Sequence, residues 1–159
     1  MILITGATGN IGTELVKRLV SKRTPIRIIT RDEKKIAHLG PEVGRVIGDR
    51  HEPSVVQRAL QDVEKVFVLS GPFDIDHEAD RLLMNKVQNA CVRQIVLISS
   101  STVHLAEKNS IGVFHREKEI ARGKVRRPMD FFATRRVHVE CFAMGHQYPR
   151  SISKDHNLG

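Results

Sequence analysis

Along the chain, short runs of apolar residues alternate with longer stretches whose apolar positions recur at helical spacing. Ile2 to Thr5 predicts a first strand, and Gly12 to Ser21 a helix with Leu15, Val16, Leu19 and Val20 on one face. Ile26 to Thr30 predicts a second strand, followed by a polar helix over Glu33 to Leu39. Val43 to Gly48 reads as a third strand. Pro53 to Leu60 then reads as a helix turning Val55, Val56, Ala59 and Leu60 inward. Val66 to Leu69 is a fourth strand closed by the turn signal Gly71-Pro72. A long helix over His77 to Ala90 carries Leu82, Leu83, Met84 and Val87, and a fifth strand over Ile95 to Ile98 stops at Ser99-Ser100-Ser101. Strands apolar on both faces and separated by helices imply a doubly wound α/β fold of Rossmann type, a parallel sheet in three layers.

Between the first strand and the first helix, Gly6, Gly9 and Gly12 are spaced G-x-x-G-x-x-G. Glycine permits the tight turn and lets backbone N–H groups approach a pyrophosphate, while the helix N-terminus adds its positive dipole. A glycine triplet alone is a weak signal. Placed after a strand, before a helix and ahead of further β-α units, it predicts dinucleotide binding.

Composition narrows the reading further. The 159 residues are 40% hydrophobic, enough for one domain with a real core, and no run of eighteen apolar residues predicts a membrane span. No basic lead followed by an apolar stretch marks a signal peptide, and Cys91 and Cys141 have no metal or redox spacing. A cytoplasmic protein with reduced thiols is expected. His51, His77 and His104 are scattered without ligand spacing, so no metal is assigned. The net charge of +8 raises nucleic acid as a partner, yet residues 121–159 hold eight Lys and Arg against three Asp and Glu. The basic excess therefore sits in an unpatterned tail, and nucleic acid is not the expected partner.

The stretch "ITGATGNIG", with "RDEKK" after the second strand, "GD" after the third, "VFVLS", "IVLISS" and "GVFHREKE", resembles the NmrA-like atypical short-chain dehydrogenase/reductases. That group includes the type 2 NAD(P)H:quinone oxidoreductases, and the resemblance runs from Met1 to about Glu119. It implies that Gly6, Thr8, Gly9, Asn10, Ile11 and Gly12 wrap the pyrophosphate. Where an NAD-preferring site places a carboxylate for the ribose 2′-OH, this chain has Thr30-Arg31 with Lys34 and Lys35 behind, so NADP(H) is favoured over NAD(H). Asp32 beside Arg31 blunts that preference. By the same resemblance Asp49 meets the adenine edge, and Leu69, Ser70 and Gly71 border the ribose and nicotinamide with Ser99.

The catalytic side is thinner. The superfamily's Tyr-x-x-x-Lys is missing, since the single tyrosine, Tyr148, lies in the tail and lacks the lysine. Ser100 at the end of the fifth strand, His115 and Lys118 are the remaining candidates, with His115 orienting an acceptor oxygen. Two functions follow from the resemblance. One is a reductase passing hydride from NADPH to a quinone or similar small electron acceptor. The other is a redox sensor that binds NAD(P) without turnover and acts on a protein partner.

After "HREKE" the resemblance stops. Relatives continue with a stretch like W-T-F-L-R-P-G-G-F-M-S-N-A-L and then a substrate lobe, whereas this chain reads "EIARGKVRRPMDFFATRRVHVECFAMGHQYP". Met129-Asp130 is encoded as ATG-GAY, and one nucleotide later that reads TGG, tryptophan. The codons that follow can spell T-F-L-R-P-G-G-F-M-S-N-A-L-R-W, and those of 123–126 can supply K-S-G before it. The expectation is a Rossmann domain over 1–120 and a divergent, poorly structured tail over 121–159, out of frame from near residue 120. The sixth strand and substrate lobe would then be missing, leaving a sheet edge open to homo-oligomers. The alternative is a divergent but genuinely encoded C-terminus.

Overall fold

The computed structural model describes residues 1–70, 77–100, 113, 115–117 and 129–134, with backbone alone at 100 and 129–134. Its elements are β1 (Ile2–Ile4), α1 (Asn10–Ser21), β2 (Ile26–Thr30), a 3-10 turn (Glu33–Ile36), β3 (Val43–Ile47), α2 (Pro53–Ala59), β4 (Lys65–Val68), α3 (Glu78–Val87), β5 (Gln94–Ser100) and β6 (Met129–Thr134). The sheet order is β3-β2-β1-β4-β5-β6 and every pairing is parallel. Ile2 stands opposite Ile26 on one side and Lys65 on the other, which makes β1 the central strand. The doubly wound parallel sheet expected from the pattern is the fold observed.

Two cores follow from strands that are apolar on both faces. On one face Ile4, Val16, Ile26, Ile28, Ile36 and Val43 pack beneath α1 and the 3-10 turn. On the other Leu3, Val55, Val66, Leu83, Val87, Ile95 and Leu97 pack beneath α2 and α3. Each such side chain contributes about 1.5–3 kcal/mol relative to exposure. These cores hold the strands' carboxyl ends level, so the β1, β2, β3 and β4 exits form one rim.

Several boundaries differ from the sequence expectation. α1 begins at Asn10 rather than Gly12, so the first helical turn belongs to the glycine loop. The helix expected over 33–39 is only a 3-10 turn, started by the Asp32 carboxylate accepting from the Lys34 N–H at 3.0 Å. β5 runs on through Ser99 and Ser100.

The open edge expected beside β5 is a correction. Met129–Thr134 pairs with it in parallel, from Ile95 opposite Met129 to Ser100 opposite Thr134. Phe131, Phe132 and Thr134 are strand-favouring residue types, and the β5 edge offers the run a row of backbone donors and acceptors.

Candidate functional site

At the exit of β1, Thr5 is buried and ties two strand ends together. Its hydroxyl donates to the Leu69 carbonyl at 3.0 Å and accepts from the Leu69 N–H at 2.9 Å. The chain then turns sharply at Gly6, whose φ of +63° is costly for any residue with a β-carbon. A β-carbon there would also stand 2.7 Å from Leu69 Cβ and 2.8 Å from its carbonyl oxygen. Gly12 is tighter still, since its β-carbon would lie 2.1 Å from the Gly6 carbonyl oxygen. The Gly9 N–H bonds that same oxygen at 3.1 Å, and Thr13 N–H bonds the Gly9 carbonyl at 2.8 Å.

The loop thereby places Asn10, Ile11 and Gly12 in the first turn of α1, where amides have no intrahelical carbonyl to meet. Gly9 at the N-cap makes no side-chain cap, and the first turn carries no acidic residue. Such a helix start suits an anion, and the glycine cradle fits the backbone approach of a pyrophosphate.

Next to the loop, Arg31 follows β2 with its side chain 77% exposed, 3.8 Å from the Asp49 carboxylate at the exit of β3. Asp49 also accepts from the His51 backbone N–H at 2.9 Å and meets its ring at 2.7 Å. The His51 backbone bond, then its ring, hold the Asp49 carboxyl below its ordinary value, with Arg31 adding a smaller pull. Thr8 of the loop, Thr13 and Lys17 of α1, and Lys35 and His38 line a cavity of about 160 Å³. Lys17 and His38 escaped the sequence reading because neither lies in a motif. They meet Lys35 only because the 3-10 turn packs beside α1.

At the exit of β4, Leu69 and Ser70 are half-buried. The Ser70 hydroxyl donates to the Asp80 carboxylate, and the other Asp80 oxygen accepts from Arg50 at 2.9 Å. Asp80 is only 3% exposed. A sequence signal for it existed, because Asp80 shares a helical stripe with Leu83, Met84 and Val87. A carboxylate on an apolar stripe implies a buried partner. His77, read as scattered, is also buried, at the left-handed N-cap of α3, with its Nε2 3.8 Å from a Glu117 carboxylate oxygen.

The remaining candidates divide clearly. Ser99 is buried in β5, and Ser100 ends that strand. His115 lies in the short helical stretch that includes Glu117. Gly71 and Lys118 lie outside the described residues, as do Ser101, His104 and Tyr148. Among the described residues no cluster of three His, Cys, Asp or Glu side chains could hold a metal, and no helix is long and apolar enough to cross a membrane.

A parallel doubly wound sheet with a glycine loop opening onto its carboxyl edge defines a Rossmann-type nucleotide-binding protein. The sequence profile of a family described as NAD(P)H-binding matches residues 6–127, and this chain belongs to that family, among the atypical short-chain dehydrogenase/reductases. The NAD(P)H azoreductase of Xenophilus azovorans is 33% identical over 98 residues, covering 61% of this chain and 34% of that protein. The NADPH-dependent quinone oxidoreductase of Escherichia coli, solved with NADPH, superposes with a TM-score of 0.70 at 25% identity, over 82% of this chain and 47% of that one. The triphenylmethane reductase of Citrobacter sp., solved with NADP(H), gives 0.70 at 26% identity, over 82% and 48%. The chain thus spans about a third of the curated relative and about half of the two solved reductases.

Proposed function

We propose that this chain is the cofactor half of a reductase that passes hydride from NADPH to a quinone or similar conjugated acceptor. The observation that carries the reading is the β1 exit, where Gly6 and Gly12 leave room for backbone alone and the first turn of α1 faces outward uncapped. Gly6, Thr8, Gly9, Asn10, Ile11 and Gly12 surround the pyrophosphate. Arg31 and Lys35 take the 2′-phosphate, with Lys17 adding a further cation and His38 a ring nitrogen to the neighbouring cavity. The Asp32 carboxylate, which blunts this preference, has one oxygen occupied in starting the 3-10 turn. Asp49 borders the adenine, while Leu69, Ser70, Gly71 and Ser99 border the ribose and nicotinamide.

NADPH, when bound, supplies the hydride. The chain's part is to orient the nicotinamide and keep water from it, with Ser100, His115 and Lys118 directing the acceptor oxygen. The relatives are named for reducing quinones, azo compounds and triphenylmethane dyes, which supports a flat conjugated acceptor.

Titration with NADPH and NADH, followed by steady-state NADPH oxidation against a quinone panel, tests the proposal. Tighter NADPH binding with slow, impaired turnover is the expected result. Equal affinities overturn the cofactor preference. Binding with no turnover of any quinone, in this chain and in one with the reading frame restored near residue 120, points to the redox-sensor function instead.

A further inference from the structure

Asp80 has no place in the cofactor contacts described so far, yet it is a carboxylate 3% exposed at the rim of the site. One of its oxygens takes the Arg50 guanidinium at 2.9 Å and the other takes the Ser70 hydroxyl proton. Two strand exits and a helix start meet in this arrangement. Arg50 comes from the β3–α2 connection, Ser70 from the end of β4, and Asp80 from the first turn of α3. An acidic side chain so enclosed persists only with its lone pairs satisfied, here by the Arg50 guanidinium and the Ser70 hydroxyl.

The consequence lies in Ser70. A serine hydroxyl has one proton and two lone pairs. An ionised carboxylate can only accept, so the Ser70 proton is committed to Asp80, and the oxygen turns only lone pairs to the rim. We infer that Asp80 is a positioning residue that sets Ser70 as an obligate hydrogen-bond acceptor for a donor group of the bound dinucleotide, a ribose hydroxyl or the carboxamide N–H. Arg50 acts one step further out by holding the Asp80 carboxylate in place. This inference rests on the proposal that a dinucleotide crosses the sheet's carboxyl edge.

The test is a double-substitution cycle on the full chain, with NADPH as probe. Binding is read from nicotinamide fluorescence, which no tryptophan obscures because the chain has none. Ser70→Ala should raise the NADPH Kd about three- to tenfold, the scale of one neutral hydrogen bond. Asp80→Asn keeps the shape but can donate to Ser70, freeing or reversing the serine proton, and should raise Kd by a similar factor. In the Ser70→Ala background Asp80→Asn should add nothing to Kd while still lowering Tm, because the ion pair between Arg50 and Asp80 is lost in both. Ser70→Thr, which retains the hydroxyl, should restore binding.

Equal Kd increases from Asp80→Asn in both backgrounds would overturn the inference, as would an unchanged Kd in an Asp80→Asn protein whose Tm has fallen. Should Asp80→Asn not fold, Ser70→Ala and Ser70→Thr decide alone, and an unchanged Kd in Ser70→Ala refutes the role. A wild-type chain that binds neither NADPH nor NADH overturns the dinucleotide reading and this inference together. Wild-type binding that ignores Ser70 overturns only the inference.

Discussion

Substituting Gly12 by alanine tests whether the glycine loop is shaped by contact or by local flexibility. The new methyl carbon would stand 2.1 Å from the Gly6 carbonyl oxygen and 2.7 Å from Ala7 Cα, both backbone atoms that no rotamer change can move. Restoring ordinary contact opens the turn by about 1 Å, an overpacking cost of about 1–3 kcal/mol. The same opening strains the 3.1 Å bond from Gly9 N–H to the Gly6 oxygen, worth about 1 kcal/mol. A total of about 2–4 kcal/mol lowers Tm by about 4–16 °C in a chain of this size. Gly9 is the control. Its β-carbon would lie 3.4 Å from its nearest neighbour and its backbone is extended, so Gly9→Ala costs at most about 1 kcal/mol, the penalty of alanine as an N-cap. Both substitutions should weaken NADPH binding, Gly9→Ala without much loss of stability. Thermal unfolding followed by circular dichroism, with Kd measured at a temperature where all variants are folded, separates the two. A Gly12→Ala chain melting within about 2 °C of wild type would refute the steric account. So would a Gly9→Ala chain less stable than Gly12→Ala.

Arg31→Met should weaken NADPH by about 1.5–3 kcal/mol, the scale of a charge-assisted hydrogen bond, and leave NADH nearly unchanged. Equal losses in the two titrations would assign Arg31 a structural part. Asp49, held below its ordinary value by the His51 backbone bond first, stabilises the fold above the usual carboxylate range and loses that contribution as pH falls through its folded value. The Tm difference between wild type and Asp49→Asn should therefore narrow below about pH 4, and a constant difference would contradict it. Arg50→Met leaves Asp80 buried without its cation and should cost about 3–5 kcal/mol in urea unfolding. A loss under about 1 kcal/mol would show the pair to be solvated like a surface one.

What could be read from the sequence depended on how local each signal was. Alternation of apolar runs with helical stripes reports the sheet because strand and helix periods differ, and Val55, Val56 and Ala59 face the core as expected. The glycine spacing placed the loop correctly, although the helix start at Asn10 was set by the turn at Gly6 rather than by any cap residue. Asp32 was ambiguous beside Arg31, and only the 3-10 turn it starts decides where its carboxylate goes. Asp80 was legible as a carboxylate on an apolar stripe, but its partners come from 30 residues and 10 residues away and no spacing announces them. β6 was the least legible. M-D-F-F-A-T has no alternation of its own, and it becomes a strand through the free edge of β5.

That sixth strand changes what the out-of-frame proposal for the tail predicts. Under that proposal, residues 129–134 replace W-T-F-L-R-P, and each stretch carries aromatic residues and a threonine that suit a strand. Either one can satisfy the β5 edge, so the sheet loses little from the change of frame. The cofactor rim loses little as well, because Gly6 to Gly12, Arg31, Asp49, Ser70 and Asp80 all precede residue 120. Under the same proposal the cost falls on the acceptor, because this chain spans only about half of the two solved reductases. A chain with the frame restored near residue 120 should therefore bind NADPH with a Kd within about threefold of this one, a difference under 1 kcal/mol. Its kcat/KM for quinones should be higher by several powers of ten, the scale of positioning an acceptor against the reacting carbon. The codons themselves give the first check, since any that cannot spell the shifted motif end the proposal. If they can, the two proteins are compared directly, and equal kcat/KM would mean that residues 1–120 already contain the acceptor site.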